Sequence, residues 1–164
     1  MMPPFTRKDV AKITGLSDRR VLFYTEQNVL PDVAVTVGRG NAREYSRLDI
    51  FYLTLLQELK VLGLSLSSIR RIIGALGRKI GDNPQLLGFS GEENGPGAGF
   101  TRIHRFLVIS FMQGPDGNPG SGSKEYSGKL LLYFPEGSTD LAALSGEPAK
   151  IVVDLNPVFK KVRW

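Results

Sequence analysis

Between Thr6 and Ile80 the apolar residues recur at three- and four-residue steps, in blocks broken by glycine, asparagine and proline. Beyond residue 100 they gather instead into short continuous runs. The first half therefore predicts helices and the second half strands. Val10 and Ile13 give a first helix one apolar face, with Lys8 and Lys12 pointing elsewhere, Thr6 as its cap and Asp9 answering that cap three residues on. Gly15 supplies the left-handed turn that ends it, and Leu16 plugs the corner. Ser17 caps a second helix that runs to about Gln27, with Val21 facing back and Asn28 closing it. Ser46 caps a third helix, 47–62, whose Leu48, Phe51, Tyr52, Leu55, Leu59 and Leu62 form a core stripe. Ile50, Leu53 and Leu56 add apolar surface beside that stripe, so this helix is either deeply embedded or partly an association surface. After Gly63, a fourth helix starts at Ser65, buries Ile69, Ile72, Ile73 and Leu76, and carries Arg70, Arg71, Arg78 and Lys79 away from that face.

A small residue at Ala11, a glycine four positions later and an apolar residue six after that meet the steric needs of a helix-turn-helix. Its second helix presents Asp18, Arg19 and Arg20 from the first turn, where a recognition helix meets base edges. Between the second and third helices, residues 34–37 and 42–45 read as two strands around the turn Gly38-Arg39-Gly40-Asn41. This is a small wing, with Arg39 at its tip and Arg43 on the returning strand, both suited to phosphate.

Charge sharpens this reading. Residues 1–80 hold 13 Lys and Arg against 7 Asp and Glu, and the remaining 84 residues hold 8 against 9. The basic excess thus belongs to the half with the helix pair, as expected of a module that binds phosphate. Cysteine is absent, which excludes disulfides, thiolate metal sites and iron–sulfur clusters. The single histidine, His104, cannot make a metal site alone. No cofactor is expected, and no phosphate loop, triad or carboxylate pair points to an enzyme. No apolar run reaches the ~20 residues of a membrane span, and MMPPFTRKD lacks the apolar core of a signal peptide. A soluble, intracellular protein with no membrane partner is the expectation.

Residues 5–80 resemble the DNA-binding domain of the MerR family of bacterial transcription regulators. The resemblance rests on Leu16-Ser17 at the turn, Phe23-Tyr24 in the second helix and Val29-Leu30-Pro31 after it. It rests also on Arg43-Glu44-Tyr45-Ser46 before the third helix and on Leu62-Gly63-Leu64-Ser65-Leu66 between the third and fourth. It covers just under half of the chain. It implies a site made of Ser17, Asp18, Arg19 and Arg20 at the major groove, with Tyr24, Arg39, Arg43 and Lys60 on the backbone. Two positions depart from the family pattern: Leu22 stands where an arginine is common, and Thr25 where a glutamate is usual. The resemblance also implies a bacterial, cytoplasmic and nucleoid-associated protein that binds promoter DNA as a homodimer, with RNA polymerase as a further partner.

The long dimerisation helix of the family is not expected here, because Gly81-Asp82-Asn83-Pro84 breaks the fourth helix and 88–99 is glycine-rich. Phe106 to Met112 reads as a central strand, with further strands at 129–134 and 150–155 on either side of a possible helical turn at 139–144. Residues 113–123 are a polar loop between the first two strands, and Asn156-Pro157 opens a short terminal helix through Val162. Three strands and a scrap of helix make a thin core, from which pairing with a second copy follows as an expectation. Phe100, Phe106, Phe111, Tyr126, Tyr133 and Phe134 serve that core or line an apolar pocket, and whether a small-molecule effector binds stays open. The fold class is α+β: a winged helix-turn-helix four-helix domain (1–80), a linker (81–100) and a small antiparallel β segment (101–164) for dimerisation or effector binding. The function expected is that of a sequence-specific, DNA-binding transcription regulator. Two rivals remain, an architectural or recombination-type DNA-bending protein and a protein–protein adaptor with a degenerate winged domain.

Overall fold

The computed structural model describes residues 5–31, 44–82, 106–112, 129–133 and 150–162. The described helices are α1 (Arg7–Thr14), α2 (Asp18–Glu26), α3 (Arg47–Val61), α4 (Leu66–Asp82) and α5 (Asn156–Val162). The strands are β1 (Phe106–Met112), β2 (Lys129–Tyr133) and β3 (Lys150–Asp154). The fold is α+β, with helices in the first half and strands in the second as the periodicity predicts, and the described residues are mostly helical.

Local chemistry sets the helix ends. Thr6 and Asp9 form a reciprocal capping box, with the Thr6 N–H donating to Asp9 Oδ2 at 2.9 Å and the Asp9 N–H donating to Thr6 Oγ1 at 3.3 Å. Ser46 and Asp49 repeat the device at α3, at 2.7 and 3.1 Å. Gly15 ends α1 at φ 76°, and Asn28 follows α2 at φ 50°, the left-handed conformations their positions predict. No break falls at Gly81, since α4 continues through Gly81 and Asp82. The last helix opens at Asn156, with Leu155 O accepting its first helical bond from the Phe159 N–H. The Asn156 N–H donates to Asp154 Oδ1 at 2.9 Å.

The fold is arranged around α3. Every residue from Asp49 to Leu56 is buried, including Ile50, Leu53 and Leu56. Of the two possibilities for that extra apolar surface, deep embedding is the one observed. Helices α1, α4 and α5 all pack on α3, and the Phe159 ring of α5 stacks on Phe51 with centroids 5.9 Å apart. Leu62 departs from the expected stripe: it is the C-cap of α3 and is 53% exposed, because the helix ends before that position can turn inward.

β1 is the middle strand in the order β2-β1-β3, antiparallel to both neighbours. The register sets Leu107 opposite Val153 and Ile109 opposite Ile151 on the face that joins the helical core. β2 meets α4. Leu107, Ile109, Val153, Leu155, Val158, Phe159 and Val162 belong to one cluster with the α1–α4 core. One face of the three-stranded sheet is thus covered within the chain by the helical core, while Val152, on the other face, is 48% exposed. The expected wing strands, the glycine-rich stretch 88–99, His104, the polar loop at 113–123 and the helical turn at 139–144 lie outside the described residues.

Because Phe159 joins the two halves of this core, Phe159→Ala is expected to lower stability by about 3–5 kcal/mol. Chemical denaturation followed by far-UV circular dichroism checks this. The whole chain should still unfold in one transition, displaced to lower denaturant.

Candidate nucleic-acid interface

The first two helices are locked into one angle by a few short-range bonds. The Gly15 N–H donates to Ala11 O at 2.9 Å, closing α1. Thr14, buried, donates its hydroxyl to Val10 O at 2.7 Å and accepts from the Leu16 N–H at 3.2 Å, so one side chain ties the helix to its turn. Leu16 and Val21 are buried in the corner. Ser17 caps α2, with its Oγ accepting from the Arg20 N–H at 3.4 Å. Thr14 escapes a reading of the sequence because a threonine inside a helix has no distinctive spacing.

The far end of α2 is tied to the rest of the domain. The Thr25 and Tyr45 hydroxyls lie 3.3 Å apart, and Tyr45 pairs with Phe5 through two backbone hydrogen bonds at 2.9 and 3.0 Å. Arg70 of α4 donates to Gln27 Oε1 at 3.3 Å. A β-carbon on Gly77 would stand 2.6 Å from Pro31, so α4 approaches the segment after α2 as closely as a glycine permits. Thr25, in the position usual for a glutamate, is therefore a neutral buried tie rather than a surface charge.

These constraints leave one face of α2 outward. Arg19, Leu22, Phe23 and Glu26 are exposed along it, whereas Val21, Tyr24 and Thr25 face the core. Arg20 is exposed at the edge of that face. Asp18 is partly exposed and forms an ion pair with Arg7 of α1, Nε to Oδ2 at 3.4 Å. With both side chains nearly half exposed, the pair is worth less than about 1 kcal/mol, but it directs Arg7 toward the start of α2. Arg7 is the cation near this site that spacing alone did not single out, since eleven residues separate it from its partner.

Tyr24 is 8% exposed and its ring belongs to the core, with an edge contact to Phe23 at 5.5 Å between centroids. Its first role is packing. Lys60 is exposed on the last turn of α3. Ser17, Asp18, Arg19 and Arg20 are brought together on one exposed turn, while Arg39 and Arg43 lie outside the described residues. Among the described residues, no group of three or more His, Asp and Glu side chains could hold a metal ion. Nor is any described helix long and apolar enough to cross a membrane.

A capped short helix, a glycine turn and a second helix held by its inner face, with exposed arginines at its start, define a helix-turn-helix domain of the DNA-binding type. The family model described as MerR HTH family regulatory protein matches residues 5–76. Residues 5–76 of this chain are accordingly similar to the helix-turn-helix domain of the MerR family of DNA-binding regulators. No curated protein matches the chain.

The capping box at the start of this domain has a pH signature. The Thr6 hydroxyl and then the Thr6 N–H, both donating to the Asp9 carboxylate, hold its pKa below the ordinary 3.8, with a smaller contribution from Lys12. A lowered folded-state pKa stabilises the fold above the unfolded value and loses that contribution as pH falls through the folded value. Asp9→Asn is therefore expected to lower the melting temperature at neutral pH. The gap to the parent protein should close as pH falls below 3.8, which paired thermal melts across acid pH would check.

Proposed function

We propose that this chain is a transcription regulator that binds promoter DNA as a homodimer, with α2 in the major groove of each half-site. The single observation carrying this is the exposed first turn of α2, where Arg19 and Arg20 project from a helix whose opposite face is fixed in the core. Arginine is the side chain best matched to guanine in the major groove. The basic excess in residues 1–80 supplies attraction to phosphate. Arg39 and Arg43 act on the backbone in this reading, and Tyr24 and Lys60 flank the groove.

The homodimer rests on family resemblance and on the geometry of reading: two copies about a two-fold match a pseudo-palindromic site. The division into an N-terminal reader (1–80), a linker (81–100) and a C-terminal segment (101–164) is part of the same proposal. So are RNA polymerase as a partner at the promoter and a cytoplasmic, nucleoid-associated bacterial setting. The C-terminal segment acts through α5, which touches both α1 and α3, so any signal received there reaches the reader through packed side chains.

Arg19→Ala and Arg20→Ala are expected to weaken binding to a specific site more than to random DNA, by roughly 10- to 100-fold on the specific site for each. Arg39→Ala should weaken both about equally and flatten the salt dependence by about one ion. Fluorescence anisotropy on the two DNAs over a salt series measures this. Equal losses on both DNAs for all three variants would overturn the assignment of roles.

A further inference from the structure

The outward face of α2 is not uniformly polar. Four residues at helical spacing compose it: Arg19, then Leu22 and Phe23, then Glu26. Leu22 is 37% exposed and Phe23 45%, two of the few large apolar side chains left in water among the described residues. Neither exposure is an accident of a loose helix. Both neighbours on the inner face, Val21 and Tyr24, are buried, and the Tyr24 ring holds Phe23 edge-on at an interplanar angle of 63°. An apolar pair presented from a rigid helix, beside the exposed arginines Arg19 and Arg20, needs an occupant that is anionic outside and apolar at defined points within.

DNA fits both requirements. Phosphates answer the arginines, and the one apolar group on the edges of the unmodified bases in the major groove is the 5-methyl of thymine. From Arg19 to Glu26 the face spans roughly 10 Å, about three base-pair steps. An arginine at one end and the apolar pair one turn later are spaced to meet neighbouring base pairs. Resting on the function proposed above, we propose that Leu22 and Phe23 are specificity-determining residues that read thymine methyl groups in the half-site, next to the base pairs contacted by Arg19 and Arg20.

The preference expected is chemical rather than merely for A·T pairs. Deoxyuridine has the same hydrogen-bonding edge as thymidine and lacks only the methyl, and 5-methylcytosine carries the same methyl on a G·C pair. The full-length chain would first select its site from random DNA. Each thymine in the selected half-site would then be replaced in turn by deoxyuridine. At one or two positions the wild-type protein should lose about three- to fivefold in affinity per methyl removed. Leu22→Ala/Phe23→Ala should bind the thymine site more weakly and no longer distinguish it from the uridine site. Leu22→Ala alone, which leaves the Phe23–Tyr24 contact intact, should lose part of that discrimination with an unchanged circular dichroism spectrum.

Failure to select any sequence would overturn the proposed function and this assignment with it. A selected site at which every uridine replacement is neutral, or variants that discriminate as well as the wild type, would overturn this assignment alone. If the double variant also bound as tightly as the wild type, the apolar face would belong to a protein partner instead.

Discussion

Everything in this molecule leans on the complete burial of the middle of α3. A helix apolar on one side needs one neighbour, whereas Ile50, Leu53 and Leu56 beside Phe51, Tyr52 and Leu55 require covering all round. That demand draws α1 and α4 to α3 from the N-terminal half and α5 from the far end of the chain. The stacked pair Phe51–Phe159 is the joint between the two. Such a ring pair contributes about 0.5–1.5 kcal/mol beyond the area it buries. Its larger consequence is topological, since the last helix becomes part of the core that positions the first two.

Helix α2 inherits its rigidity from that core. Its inner face is held by Val21, Tyr24 and Thr25, its start by Ser17 and the Arg7–Asp18 pair, and its end by Gln27 with Arg70 and by the close passage of Pro31 over Gly77. Individually these are small terms. Together they leave α2 with one free face, whose composition determines what it can recognise. Because α5 touches α1 and α3, the last helix is in direct contact with the core that holds α2.

Much of this was legible in the sequence wherever the governing chemistry is local. The box of Thr6 and Asp9, the cap at Ser17, the left-handed Gly15 and Asn28 and the three strands follow from nearest-neighbour preferences and periodicity. The arginines at 19 and 20 were legible for the same reason, being placed by a turn read from Ala11, Gly15 and Val21. What sequence spacing does not encode is contact across distance. Phe159 on Phe51, Asp18 with Arg7, Thr25 with Tyr45 and Pro31 against Gly77 pair residues separated by anything from eleven positions to more than a hundred. The thin core expected of residues 101–164 was counted in isolation, whereas Leu107, Ile109 and Val153 share one cluster with the helices of the first half. Leu62 was misjudged for a different reason, because helix ends shift by a residue and one residue turns a side chain by about 100°.

The most direct test of this account is the selection of bound fragments from random-sequence DNA by the purified full-length chain, repeated at increasing salt. A short inverted repeat should be recovered, bound with an affinity that falls steeply with salt while the preferred sequence stays the same. Recovery of sequence-blind fragments at every salt concentration would contradict it, and would make the fixed, arginine-bearing face of α2 a surface for something other than DNA.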